Sequence, residues 1–402
     1  RRQARFLYHR MRNSRPLLKD PRAVFSAEWL ASRFDADVVV TIRHPAAFAA
    51  SMKVKGWRFP FRDLLSQALL MERYLAEFSA EISQFARGSH DIVDEAALLW
   101  KIVYSTVAHF QNRHPEWLFI RNEDLSRDPV AGLAAMEMLG LFETLLPEVG
   151  GMRGVVQGPN HHLDVYGHTI EVLEGVLRIE SELDRFVGAS APGVSDLLEQ
   201  PLADGVTRST GLRLAALFHD CAKPATRREA DGFISFRGHD RQGAEAVLTV
   251  FSRLKSSRRL AGYVADLTRN HLILGFMVPE QPLSRRQVYE YLKRTEPYSA
   301  DVTLLTVADR LAARGTSSIA GREMVAGHLR LAGDMVAEAL EWDRNGPPGQ
   351  FLAGDELASE LGIDPGPELG RVIDELAAAR FAGEVDSASD AVEWARRFLE
   401  TA

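Results

Sequence analysis

A chain of 402 residues is longer than one hydrophobic core usually serves, so two or three domains are expected. With 46% hydrophobic and 26% charged residues it has the composition of a soluble globular protein, and no apolar run approaches the ~18 residues of a membrane span. A net charge of -7 argues against wholesale neutralisation of nucleic-acid phosphates, and Cys221, the single cysteine, excludes a disulfide framework or a thiolate zinc site within the chain. A reducing cytoplasm is the expected location. The first residue is Arg1, not Met, and the expectation is that the sequence begins inside a longer reading frame.

In chain order, Val38 to Ile42 is a short β-branched run bounded by Asp35, Asp37 and Pro45, which reads as a buried parallel strand. Helical patterns follow over 62–86 and 92–111, and a second strand is expected from Trp117 to Ile120. This alternation predicts an α/β domain over 1–150, ended by the Pro and Gly cluster from Pro147 to Pro159. Beyond it nearly everything reads as helix, with Tyr166, Ile170, Leu173 and Leu177 on one stripe and Leu260, Val264 and Leu267 on another. The expectation is therefore a mainly α chain: an all-helical domain over 151–345, then, after Asn345-Gly346-Pro347-Pro348-Gly349, a small helical module over 346–402.

Six of the twelve histidines fall between His161 and His271. The adjacent pair His219-Asp220 ends an apolar helical stretch and precedes Lys223-Pro224; such a pair at a helix end can bridge two metal ions. Asp309 and His271 each fall on the apolar face of a helical pattern, where an unpartnered charge costs several kcal/mol and calls for a cation. His168 lies one position from the stripe Thr169, Val172, Val176 and can reach the same centre. For any one of these histidines alone, a hydrogen-bonded core group is the commoner role; their joint occurrence favours a metal site. His239 is either a second-metal ligand or a turn residue. Lys223 either neutralises a phosphate oxygen or makes a surface salt bridge. His161, His162 and Asp164 read as structural, with Asp164 capping the helix of His168. Imidazole and carboxylate ligands without thiolate suit Mn, Fe, Co, Ni, Zn or Mg.

The ordered set His168, His219-Asp220, His239, His271, Asp309 resembles that of HD-domain phosphohydrolases. From about residue 155 to 402, the segments Asn160 to His168, Ala216 to Pro224, Gly238-His239-Asp240, Arg253-Leu254-Lys255, Gly354 to Leu357 and Pro365-Gly366-Pro367 resemble the HD and RNA-binding portion of bacterial CCA-adding tRNA nucleotidyltransferases and poly(A) polymerases. The resemblance implies metal-assisted hydrolysis of a nucleotide or RNA 3′-end phosphoester: His168, His219, Asp220 and Asp309 on a first ion, His239 and His271 on a second, and His219, Asp220 and Lys223 nearest the chemistry. A rival expectation is a tRNA acceptor-end binding module in which Arg253, Lys255, Arg258 and Arg259 touch phosphates.

Over about 10–145, Leu18-Lys19-Asp20-Pro21, Ile42-Arg43-His44-Pro45, Ser51, Ile120 to Leu125 and Pro129 resemble the bacterial sulfotransferase family, with His44 where that family usually has Asp. This implies a partial, P-loop-like α/β fold in which Arg43 and Ser51 bind the 3′-phosphate of 3′-phosphoadenosine 5′-phosphosulfate. The family's glycine-containing phosphosulfate loop is missing from the sequence, so sulfuryl transfer by this chain is not expected.

Overall fold

In the computed structural model the described residues are 23–121, 128–138, 142–158, 161–313 and 319–401. The segments Leu18 to Pro21 and Asn122 to Leu125, and the Arg- and Lys-rich start of the chain, lie outside them. The fold is mainly helical, and the chain divides into two compact units, Arg1–Leu145 and Leu146–Ala402.

In the first unit, helix α1 (Ala27–Phe34) leads to strand β1 (Val39–Ile42), helix α2 (Pro45–Lys55), a series of short helical segments, the long helix α3 (Ile92–Arg113) and strand β2 (Leu118–Arg121). β1 and β2 pair in parallel, Val39 opposite Leu118 and Ile42 opposite Arg121. The expectation of a buried strand is corrected: in β1 Val39 and Thr41 are exposed while Val40 and Ile42 are half-buried, and in β2 Leu118, Phe119 and Ile120 are half-buried. The helix expected over 62–86 is also corrected. It is broken at Gln67 and again at Leu75 into Arg62–Leu65, Ala68–Tyr74 and Ser79–Phe85. The breaks let Phe61, Leu64, Leu75, Phe78 and Ile82 close on Leu98 and Ile102 of α3 as one cluster, which a straight helix would spread along its length.

In the second unit, α4 (Val165–Ser181), α5 (Arg208–Phe218), α6 (His239–Arg253), α7 (Arg258–Asn270), α8 (Arg285–Thr295), α9 (Ser299–Ala312) and α10 (Ile319–Asn345) make the main bundle. α4 packs on both α5 and α9, α5 on α7, and α6 on α7. Close approach is built in where Gly175 of α4 faces Ala308 of α9, a Cβ there lying 3.3 Å from the alanine methyl. Asp164 caps α4 by accepting from Gly167 N at 2.7 Å, and its other oxygen accepts from Gly154 N at 2.6 Å. The buried face of α4 runs through Val165, His168, Thr169, Val172, Val176 and Ile179. Tyr166, Ile170 and Leu177, expected on the apolar stripe, are only half-buried.

The unit is not all-helical. Two antiparallel hairpins interrupt it: β3 (Pro201–Ala203) with β4 (Val206–Thr207), and β5 (Arg228–Ala230) with β6 (Phe233–Ser235). Both turn on Asp-Gly pairs with positive φ at each residue, Asp204-Gly205 and Asp231-Gly232. That is the two-residue turn whose twist matches antiparallel strands.

Helices α11 (Gly354–Leu361), α12 (Pro367–Phe381) and α13 (Ala388–Thr401) follow, sharing a small core of Leu357, Leu369, Val372 and Ala395. They dock on the bundle through Phe381 against Tyr289 and Trp342 and through Arg286, which pairs with Glu375 and Glu384.

Candidate metal centre

Five helices of the second unit deliver their polar residues to one buried point. His168 comes from the first turns of α4, His219 and Asp220 from the end of α5, His239 from the first residue of α6, His271 from the residue after α7, and Asp309 from the last turn of α9. His239 is thus the start of a helix entered from Gly238 at φ +78°, not a residue of an open loop. His168, His219, Asp220 and His271 are at most 1% exposed.

Asp220 stands in the middle. Its Oδ2 lies 3.2 Å from His219 Nε2 and 3.6 Å from His168 Nε2; its Oδ1 lies 3.2 Å from His239 Nε2 and 3.9 Å from His271 Nε2. Asp309 Oδ1 is 2.9 Å from His168 Nε2 and 3.9 Å from His219 Nε2. The ligand atoms fall into two groups, His168, His219 and Asp309 on one side and Asp220, His239 and His271 on the other, each within 4.8 Å of one another.

The imidazoles are oriented for ligation. Nδ1 of His219, His239 and His271 bonds the carbonyl three residues earlier, Ala216 O at 2.8 Å, Phe236 O at 2.7 Å and Thr268 O at 2.6 Å. A carbonyl only accepts, so each Nδ1 carries a proton, and in the neutral ring Nε2 then holds the lone pair. Nε2 of His219, Nε2 of His239 and Oδ1 of Asp220 are buried with no hydrogen-bond partner, while Asp220 Oδ2 has the Lys223 ammonium 2.6 Å away. Unsatisfied buried acceptors of this kind are costly, and a cation is the partner that suits them all. His168 differs: its Nε2 bonds Asp309 and its Nδ1 is buried and unpartnered, so the ring can shift its proton to Nδ1 when Nε2 binds a cation.

Charges follow this geometry. Burial pushes the His271 imidazole down to about 4, helped by the neighbouring His219. His219 is equally buried, but the Asp220 and Asp309 carboxylates beside it outweigh that and raise it. Burial would raise Asp220, yet His219 and Lys223 hold it well below the usual carboxylate range; Asp309 is lowered likewise, chiefly by His168. Two ionised carboxylates and converging imidazoles, with no thiolate among them, are the donor types of a divalent-metal site.

Lys223 is not at the surface. It is 7% exposed, with Nζ 2.6 Å from Asp220 Oδ2 and donating to Gln157 Oε1 at 2.8 Å. Arg253 pairs with Glu148 at 2.7 and 2.8 Å, and Arg253, Lys255, Arg258 and Arg259 are all exposed. Sequence reasoning missed His161 and Gln157. The ring of His161, read as structural, sits 4.7 Å from that of His168 with its Nδ1 buried and unpartnered. Its signal was position alone, the loop just before the Asp164 cap.

In the first unit, Arg43 is exposed just beyond β1, its backbone held by α3: its N–H donates to Tyr104 Oη at 3.0 Å and its carbonyl accepts from Trp100 Nε1 at 2.7 Å. His44 caps α2, Nδ1 accepting from Ala46 N at 3.2 Å, the service an Asp would perform there. Ser51 is half-buried on α2.

The HD-domain family matches residues 165–314. The chain is 35% identical over 292 residues to the A-adding tRNA nucleotidyltransferase of Deinococcus radiodurans, covering 71% of this chain and 59% of that protein. It is 31% identical over 294 residues to the CC-adding tRNA nucleotidyltransferase of Thermus thermophilus, covering 71% and 58%, and 24% identical over 233 residues to the multifunctional CCA protein of Halorhodospira halophila, covering 56% and 48%. The chain thus spans less than two thirds of the length of these relatives. Among the described residues no helix is long and apolar enough to cross a membrane. The second unit therefore carries an HD domain, homologous over that region to the A-adding and CC-adding tRNA nucleotidyltransferases.

Proposed function

We propose that the second unit is a metal-dependent phosphohydrolase of the HD type acting on a nucleotide or on the terminal phosphoester of an RNA. The observation that carries this reading is the convergence of Asp220, Asp309 and four histidines, with three Nδ1 protons locked onto carbonyls and the Nε2 atoms turned to one point. His168, His219 and Asp309 hold one side of the centre, His239 and His271 the other, and Asp220 turns one oxygen to each. A divalent ion held by these residues would supply Lewis acidity and make a bound water easier to ionise at neutral pH. Around it the apolar helices exclude bulk water, and Lys223 balances the charge of Asp220 from within.

The relatives' names favour a second reading, in which the HD helices and the three C-terminal helices grip a tRNA acceptor end without cleaving it. The two part on metal content and phosphate release. Wild-type protein should hold Mn, Ni or Co and release phosphate from at least one of 2′-AMP, 3′-AMP, 2′,3′-cyclic AMP followed by a phosphatase, or adenosine 3′,5′-bisphosphate. The His219→Ala, Asp220→Ala double variant should lose both. Equal, negligible metal in the two proteins would overturn the hydrolase reading.

For the first unit, a phosphate-binding role of Arg43 with Ser51 is supported only by the parallel strand pair and the exposed position of Arg43 beyond β1. Binding of 3′-phosphoadenosine 5′-phosphosulfate, weakened by Arg43→Ala, is its test.

A further inference from the structure

Helix α1 of the first unit has no buried residue, and its Trp29 and Phe34 are 61% and 65% exposed. Apolar burial therefore contributes little to holding it, and its polar anchor is Glu28. Glu28 Oε2 accepts from Arg73 Nη2 at 2.6 Å and from Tyr74 Oη at 2.8 Å, both on the segment Ala68–Tyr74. Glu28 Oε1 lies 3.1 Å from Arg113 Nε at the end of α3 and 2.9 Å from His114 Nε2. His114 is the residue after α3, and its other ring nitrogen, Nδ1, is 2.9 Å from Glu116 Oε1 in the turn before β2. The ring lies flat on Trp117, centroids 4.2 Å apart and planes 10° from parallel, with Phe110 edge-on. His109 of α3, the other imidazole nearby, stands edge-on to Tyr74.

A carboxylate only accepts, and a neutral imidazole has one N–H to give. Two ring nitrogens donating to two carboxylates therefore make His114 an imidazolium, a state also favoured by the carbonyl end of α3 and by the face of the Trp117 ring. The bond to Glu28, then the bond to Glu116, raise its pKa above that of an ordinary histidine.

We propose that His114 is a pH-operated clasp: protonated, it bridges Glu28 to Glu116 and fastens α1 to the end of α3 and the turn before β2; neutral, it gives up one of the two bonds and loosens α1. Whichever bond the neutral ring keeps, the attraction between a charged ring and Glu28 is lost, and α1 is left to Arg73, Tyr74 and Arg113. Because the folded protein holds this proton more tightly than the unfolded chain, the fastening is complete below the ordinary histidine value and is lost as the pH rises through the folded one.

The test is hydrogen exchange of the full chain, read by mass spectrometry on peptides spanning Ala27–Phe34 at about pH 6 and about pH 9, with times scaled for the intrinsic rate. In wild type, α1 should be about threefold less protected at the higher pH. His114→Gln should remove that dependence, leaving α1 at both pH values as loosely held as in wild type at the higher one. Glu116→Gln, a change to an exposed side chain that should leave the fold intact, should lower the midpoint of the His114 imidazole in an NMR titration. The proposal is overturned if wild-type α1 is equally protected at both pH values, if His114→Gln keeps the dependence, or if His114 titrates no higher in wild type than in the Glu116→Gln protein.

Discussion

Arg208 at the start of α5 donates through Nε to Asp301 Oδ1 at 3.2 Å and through Nη2 to Asp301 Oδ2. Asp301 is 0% exposed, Arg208 is 8% exposed, and Tyr263 of α7 donates its hydroxyl to the same carboxylate. The three residues tie α5, α7 and α9 together at the end of the bundle away from Asp309. Replacing Arg208 by Met strands a buried carboxylate whose remaining donor is one phenol, and breaking a buried pair on one side costs about 3–5 kcal/mol. In a unit of this size each kcal/mol lowers the melting temperature by roughly 2–4 °C, so the expected fall is on the order of 10 °C. Scanning calorimetry of the full chain measures it. The companion double variant, Arg208→Met with Asp301→Leu, removes both charges and should recover to within about 2 kcal/mol of wild type, because the cost lies in the uncompensated charge and not in the lost pair. A single-variant cost under about 1 kcal/mol, or a double variant no more stable than the singles, would refute this reasoning.

Gly211→Ala should destabilise by about 1–3 kcal/mol, since its Cβ would fall 2.7 Å from Tyr263 Cε1 and 2.8 Å from Leu202 Cδ2 in a packed core; a melting temperature equal to wild type would contradict the packing. Asp164→Ala removes the α4 cap and the bond to Gly154 and should cost about 0.5–2 kcal/mol in urea unfolding. His328 is 4% exposed, its Nε2 2.7 Å from Thr306 Oγ1, and burial, with Arg310 nearby, pushes it down to about 4. The unfolded chain takes up this proton near pH 6.5 and the native protein only near 4, so stability is lost as the pH is lowered through that window, by about 3 kcal/mol in total. His328→Gln should flatten that part of the stability-versus-pH curve relative to wild type, whereas an unchanged slope would show that the residue titrates normally.

Much of the centre was legible in the residues. Asp309 and His271 fall on apolar helical faces, and a charged or imidazole group there must have a buried partner whatever the fold, so their joining one site follows from the cost of burial. The Asp164 cap is local and was read locally. What the residues did not disclose depends on distant partners. The pairing of Asp220 Oδ1 with one group of histidines and Oδ2 with the other is set by where α4, α6, α7 and α9 meet, across separations no periodicity encodes. The same is true of Lys223, legible as a charge but not as a buried one, because Gln157 and Phe236 enclose it only once the chain is folded. The hairpins are the opposite case: Asp204-Gly205 and Asp231-Gly232 stand in the sequence as turn signals, but strands of two or three residues are too short for alternation to register. The helix over 62–86 breaks because Phe61, Leu75 and Phe78 gain more by closing on Leu98 and Ile102 than the backbone loses at Gln67 and Leu75, a balance struck by tertiary burial alone.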